Sequence, residues 1–371
     1  MRLIKVLLML ILSAGLTLPL VAQDKKTDDD DEVLRIDTQL VDVPFLVTDK
    51  AGKPLLNLKQ SNFIIYEDGK KQEITDFAAT AAPFEIALLL DTSGSTRGDL
   101  PLIRRAAESF IASLRPGDRV SIIAYESRVK DNRSTSVSDV LSNLTDDRDK
   151  LKNVLAQLTT SNGTPYYDSL LQVVDKVFSR PPQDEFRGRR ALVALTDGVD
   201  STSTTDFEEA RERLAGAGIV TYFIQIDTRD EFEENLLGNC SGDTMRFSKA
   251  QIKRYYGMFS IKANVEKISD FCSLGDFERL AISKRLYELA DLEMNTLAQA
   301  SGGKVFPVAD LSEARTAFKK VADEIGTKYS LGYYPLNDKR DGTYRKIKIE
   351  LKGVPAGAVI RAREGYTAPV K

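Results

Sequence analysis

The chain contains no histidine among its 371 residues, and only two cysteines. The first absence removes the commonest general base, the Ser-His-Asp triad and imidazole-ligated zinc together. Two cysteines without histidine cannot complete a zinc site. An excess of one charge sign is lacking too. There are 52 basic and 55 acidic residues, a net charge of -3, so no global field favours nucleic acid or an acidic membrane. Beyond the N-terminus no run is long and apolar enough to span a bilayer. What remains is ordinary globular material, 42% hydrophobic. Its length suits one good-sized α/β domain with a smaller companion.

Residues 1–22 read as a secretory signal. Arg2 and Lys5 give a basic start, an apolar stretch runs from Val6 to about Leu16, and Pro19 and Ala22 follow. Cleavage is expected after Ala22, with an uncleaved anchor as the alternative. The boundary has no cysteine, which argues against a lipoprotein. The mature chain is therefore expected in the periplasm or outside the cell. There Cys240 and Cys272 can form a disulfide, two free buried thiols being the other option. The acidic run Asp28–Glu32 marks residues 23–32 as a solvated linker.

The most informative stretch is Ile86-Ala87-Leu88-Leu89-Leu90 followed by Asp91-Thr92-Ser93-Gly94-Ser95. The apolar run predicts a strand buried on both faces, as in a parallel sheet. The chain then turns at Gly94 toward a helix. One carboxylate and two hydroxyls thus stand at the C-terminal edge of the sheet, where open α/β sheets bind ligands. Oxygen-only ligands on a short loop suit a hard divalent cation, Mg²⁺ above all. Two later segments add oxygens. Asn162-Gly163-Thr164-Pro165 holds the Thr164 hydroxyl ahead of a helix expected over Tyr166–Phe178. Leu195-Thr196-Asp197-Gly198 ends a strand and points the Asp197 carboxylate out at the same edge. Asp91, Ser93, Ser95, Thr164 and Asp197 are the candidate metal residues. No catalytic residues are assigned. Asp200 reads as a loop acid, and Asp168 as a first-turn helix residue suited to the dipole.

Around these motifs strands alternate with helices. Strands are expected at Glu85–Leu90, Arg119–Tyr125, Ala191–Leu195, Ile219–Ile226 and Lys304–Val308. Ile103, Ala106, Ala107, Phe110, Ile111 and Leu114 form a helical stripe, with Asp99 as its expected cap. Thr205-Asp206-Phe207-Glu208 has the pattern of a capping box, and Asp310–Glu313 opens a last helix ending near Ile325. Such alternation predicts an α/β fold, a doubly wound, mostly parallel sheet, over 83–327. Residues 228–282 break the rhythm and read as an insertion with its own short helices, stapled by the two cysteines. Its aromatics, Tyr255, Tyr256, Phe259 and Phe271, read as a small local core. Residues 33–82 and 328–371 both have β texture, with too few strands in either to bury a core alone. The two ends are expected to combine into one small β-sandwich-like domain flanking the sheet.

The three oxygen-bearing motifs, in this order and spacing, resemble the von Willebrand factor type A domain and its metal-ion-dependent adhesion site (MIDAS). The resemblance covers roughly Pro83 to Thr327, apart from the insertion. Pro116-Gly117-Asp118-Arg119-Val120, Leu297–Gly303 and Tyr329–Pro335 resemble a bacterial exported subgroup with β-rich flanks. The resemblance implies that Ser93 and Ser95 bind Mg²⁺ through their hydroxyls, and Thr164 directly or through water. Asp91 and Asp197 would act mainly through bound water and hydrogen bonds. Mn²⁺ and Ca²⁺ are alternative cations. A partner protein's Asp or Glu carboxylate would take the open coordination position.

The expected function is therefore an exported metal-dependent adhesion or scaffolding module, not an enzyme. A structural component of an envelope complex, with a purely stabilising metal, is the alternative. A metal-dependent hydrolase is disfavoured, since no nucleophile and base pair is apparent.

Overall fold

The computed structural model describes residues 40–80, 82–130, 133–238, 246–259 and 271–370. The expected signal segment, the acidic linker, the start of the N-terminal β segment and Cys240 lie outside them. The chain enters through β1 (Val41–Thr48), β2 (Phe63–Glu67), β3 (Lys70–Gln72) and β4 (Asp76–Ala78). The next elements are β5 (Glu85–Leu90), α1 (Leu100–Ser113), β6 (Arg119–Lys130), β7 (Arg133–Thr145), α2 (Arg148–Ala156), α3 (Tyr166–Gln172) and β8 (Arg190–Thr196). Then come α4 (Phe207–Ala217), β9 (Val220–Ile226), α5 (Arg229–Glu234), α6 (Lys249–Gly257), α7 (Asp276–Ser301), β10 (Lys304–Val308) and α8 (Ala314–Ile325). β11 (Tyr329–Tyr333), β12 (Tyr344–Leu351), β13 (Val359–Ala362) and β14 (Gly365–Thr367) close the chain.

Among the described residues the central sheet has the order β10-β9-β8-β5-β6-β7. All pairings in it are parallel except β6 with β7. Every residue of β5 is buried, as its unbroken apolar run requires. Strand alternation divides that run between two cores. Ile86, Leu88 and Leu90 pack with α1, α2 and α8, whereas Ala87 and Leu89 pack with α3, α4 and α7. Each fully buried Leu or Ile contributes roughly 1.5–3 kcal/mol. In the first layer the Phe110 and Phe318 rings meet at 5.0 Å, joining α1 to α8.

Both chain ends contribute to two antiparallel sheets, ordered β13-β1-β11-β4 and β14-β12-β2-β3. β1 pairs with β11 in the register Phe45↔Tyr329, and β2 with β12 in the register Ile65↔Ile349. The two sheets share apolar clusters, in which Val43 and Tyr333 meet Ile65 and Ile347, and Phe45 and Tyr329 meet Phe63. The Arg189 guanidinium, fully buried, ties the flanking sheets to the central one. It donates to the carbonyls of Ala82, Pro83 and Lys328 and lies over the Phe84 ring.

Several local expectations change. β7 was not foreseen, and β6 runs five residues beyond Tyr125 to Lys130. Asp99 makes no cap bond, because a 3-10 turn over Gly94–Asp99 runs directly into α1. The cap of α4 is Asp206 itself, which accepts from Glu209 N, rather than a Thr205–Glu208 box. The helix after Thr164 is α-helical only to Gln172 and then widens into a π turn at Val173–Val177. The expected end of the insertion, Ile282, lies inside α7, a 26-residue helix that runs without a break back to the sheet. Phe271 and Tyr256 join the main helix-side core instead of a separate one, and Phe259 is exposed.

Candidate metal centre

Asp91 leaves β5 fully buried, and its N–H continues the ladder by donating to Leu195 O of β8. Its Oδ1 accepts from Ser93 N at 3.0 Å and Ser93 Oγ at 2.5 Å. Its Oδ2 accepts from Thr196 Oγ1 at 2.7 Å. The first loop is therefore tied to the third through one carboxylate. Thr92 fixes the turn to β6, its hydroxyl donating to Tyr125 O and accepting from Tyr125 N. Thr96 Oγ1 donates to Ser93 O and closes the turn.

The second loop is bound to both others. Ser161 N donates to Thr92 O at 2.7 Å. Thr164 N donates to Ser201 Oγ at 2.8 Å, and Ser201 N returns to Thr164 O at 2.9 Å. Asn162 N donates to Ser127 Oγ on the part of β6 that projects past the sheet edge. Gly163 is required by close approach, since a Cβ there would stand 2.7 Å from Thr202 Cγ2 and 2.9 Å from Ser136 Oγ.

The third loop begins where β8 ends. Gly198 has φ +73°, a left-handed conformation that suits glycine. Asp197 Oδ1 accepts from Val199 N at 2.9 Å and Oδ2 from Thr228 Oγ1 at 2.6 Å. Asp91, Ser93, Thr164 and Asp197 thus belong to one hydrogen-bonded group of loops, each less than a tenth exposed. Ser95 lies on the 3-10 turn of the first loop; its side chain is outside the described residues. Asp200 is buried, caps α3 at Tyr167 N and accepts from Ser203. Asp168 sits in the first turn of α3 and accepts from Thr204 N and Thr205 N.

Burial raises the Asp91 pKa from the ordinary carboxylate range, against the hydrogen bonds from Ser93 and Thr196. Asp197 is raised by burial first and by the neighbouring Asp91 charge second. Among the described residues no Lys or Arg pairs with either acid. Two desolvated carboxylates that repel each other call for a compensating cation. The same residues hold no group of three or more acidic or cysteine side chains placed to bind a metal ion. A cation here would rest on hydroxyls, two acids and water, a donor set that fits a hard divalent ion.

Two contributors were missed in the sequence. Thr196 sits beside Asp197 in the Leu195–Gly198 motif, and its hydroxyl serves Asp91 rather than the ion. Thr228 lies 31 residues beyond Asp197, but its signal was present. β8 and β9 are parallel neighbours in the register Thr196↔Gln225, so the first hydroxyl past the end of β9 emerges beside Asp197.

Residues 85–255, just under half of the chain, match the family model of the von Willebrand factor type A domain. The central sheet with its two helix layers has that domain's fold, with the antiparallel sheets added to it. No curated protein matches the sequence. Among solved structures the chain is similar to a von Willebrand factor type A protein from Catenulispora acidiphila. The identity is 12%, the TM-score 0.42, and 90% of this chain and 75% of that one are covered. It is also similar to proximal thread matrix protein 1 from the mussel byssus, solved with a zinc-occupied MIDAS motif. The identity is 13%, the TM-score 0.40, and 70% of this chain and 49% of that one are covered. The chain therefore spans about half the length of the mussel protein. An aerotolerance-related membrane protein from Bacteroides fragilis has 16% identity and a TM-score of 0.37, over 65% of this chain and 98% of that one.

Proposed function

Starting from the type A domain match, we propose that this chain is an exported, metal-dependent protein-binding module. Asp91, Ser93, Ser95, Thr164 and Asp197 would hold Mg²⁺ as an intact adhesion site, with Mn²⁺ or Ca²⁺ as alternatives. The bound ion would supply an electrophilic position for a partner's Asp or Glu carboxylate. The single observation that carries this reading is the bonding of three distant loops around two buried carboxylates that have no Lys or Arg partner among the described residues. The chain's own groups do the rest. Thr92, Thr96 and Ser201 fix the loops, Ser93 and Thr196 orient Asp91, and Val199 N orients Asp197.

Export rests on residues 1–22 as a cleaved signal, with the periplasm or the exterior as destination. Pairing of Cys240 with Cys272 would suit that compartment. The resemblance of the flanking motifs to a bacterial exported subgroup supports this reading. The lack of histidine in the sequence supports binding over catalysis in this reading.

The test compares melting in Mg²⁺ and in chelator for the parent and for Asp91→Ala. At Mg²⁺ one hundred times its Kd, linkage stabilises the parent by about 2.7 kcal/mol, roughly 4 °C in Tm for a chain of this size. Asp91→Ala should show no such shift. Retention of a partner from extracellular or envelope extract should likewise need Mg²⁺ and Asp91. Identical parent melting and retention in Mg²⁺ and chelator would overturn the proposal. A Tm shift without metal-dependent retention would assign the ion a purely stabilising role.

A further inference from the structure

α7 is the element that links the inserted segment back to the sheet, and one of its faces meets the candidate metal loops. Tyr287, Ala290 and Met294 recur at helical spacing on that face. A Cβ added at Gly198 would stand 2.9 Å from Met294 Cε and 3.4 Å from Ala290 Cβ, so the helix lies directly against the Asp197 turn. Two turns before Met294, the Tyr287 hydroxyl lies 2.8 Å from Thr228 Oγ1. Thr228 Oγ1 in turn donates to Asp197 Oδ2 at 2.6 Å. A threonine hydroxyl has one proton and two lone pairs. With its proton committed to Asp197, it accepts from Tyr287. The chain of donation therefore runs from Tyr287 through Thr228 to Asp197. The same helix also reaches the second loop. Buried Glu293 accepts from Tyr167 OH at 2.7 Å, just past Thr164 and Pro165, and pairs with Arg254 of α6.

We infer that Thr228 and Tyr287 are positioning residues for the metal site, through which the packing of α7 sets the affinity for the ion. The inference rests on the metal-binding reading above. Its physical basis is orientation. A carboxylate that binds an ion directly or through water works from a fixed rotamer, and hydrogen bonds from behind fix it. Asp197 has one such bond from its own turn, from Val199 N. The other comes from Thr228, which stands in the loop just past β9 and is itself held by α7. Loss of the second bond frees the carboxylate to rotate and leaves the loop fold otherwise tied by Thr196 and Ser201.

The experiment is calorimetric titration of Mg²⁺ into the full chain for the parent, Thr228→Val, Thr228→Ser and Tyr287→Phe. Melting of each variant in chelator is recorded alongside. Thr228→Val keeps the volume and removes the donor, and should weaken Mg²⁺ binding by about 10–100-fold. Thr228→Ser restores the hydroxyl and should bind within about threefold of the parent, whereas Tyr287→Phe should lose roughly tenfold. All four should remain folded in chelator at the titration temperature, the Val and Phe variants melting slightly lower for the lost hydrogen bond, so that the loss of affinity is read on folded protein. Parent-like affinity in Thr228→Val, or equal losses in the Val and Ser variants, would overturn the inference and leave the metal site standing. If Thr228→Val does not fold, Tyr287→Phe decides the matter, since it removes one oxygen from a half-buried ring. A parent that binds no Mg²⁺ would overturn the metal reading and this inference with it.

Discussion

Lys328 is fully buried at the start of β11, and removing its charge should stabilise the protein at neutral pH. Its Nζ donates to Gly302 O at 2.7 Å and lies 5.8 Å from the centre of the Tyr222 ring. Burial lowers its pKa from 10.5 to about 7; Glu324 opposes the shift, while Arg361 and Arg189 add to it. In the unfolded chain the amine stays protonated up to its ordinary value. Between pH 7 and 10.5 the unfolded state thus binds one more proton than the folded state, and stability rises with pH. Below pH 7 both states carry the charge, and the folded state bears its full desolvation cost. That cost is about 5 kcal/mol at 1.36 kcal/mol per pKa unit. Lys328→Met keeps the stem and removes the charge, at a loss of about 1 kcal/mol for the hydrogen bond to Gly302 O. Urea unfolding in chelator should therefore find the variant about 3–4 kcal/mol more stable than the parent at pH 6. At pH 9 that advantage should shrink by about 3 kcal/mol, because the parent gains stability over two pH units. A difference between parent and variant that does not change from pH 6 to pH 9 would refute the reasoning.

Two further outcomes follow from packing. Gly198→Ala places a Cβ at φ +73° against Met294 and should cost about 1–2 kcal/mol, read as a lower Tm in chelator; unchanged melting would contradict the left-handed turn. Glu67→Gln should cost about 3 kcal/mol in urea, because Glu67 is the buried counter-charge of Arg345 and accepts from the hydroxyls of Tyr333 and Tyr366. A loss below about 0.5 kcal/mol, the level of a surface change, would show that the flanking sheets do not depend on this cluster.

Local pattern carried much of the architecture. The five-residue run ahead of Asp91 reads as a strand buried on both sides, and β5 is that strand. The stripe Ile103–Ile111 required a helix against the sheet, and α1 buries those positions. The β texture at both chain ends required a shared core, and Phe45, Phe63 and Tyr329 lie in one cluster. Where the reading stopped, the deciding partner was remote. β7 is Ser-rich and weakly apolar, so nothing within it announces a strand. It forms because β6 offers an unpaired edge over its whole length, including the part beyond the sheet. The insertion looked self-contained because its periodicity is irregular, yet α7 is fixed by contacts with β9, β10 and the Asp197 turn.

The candidate site divides along the same line. Asp91, Ser93 and Ser95 share one short turn, and their chemistry is set by residue type and spacing alone. That Thr196 holds Asp91, that Thr228 and Tyr287 stand behind Asp197, and that Ser201 clasps Thr164 depended on which strands end side by side. A sequence specifies the conformational preferences of neighbours within a few residues, because those are governed by local sterics and hydrogen bonding. Contacts across tens of residues exist only once strand order and helix packing have brought separate loops to a common edge, and that is a property of the whole folded chain.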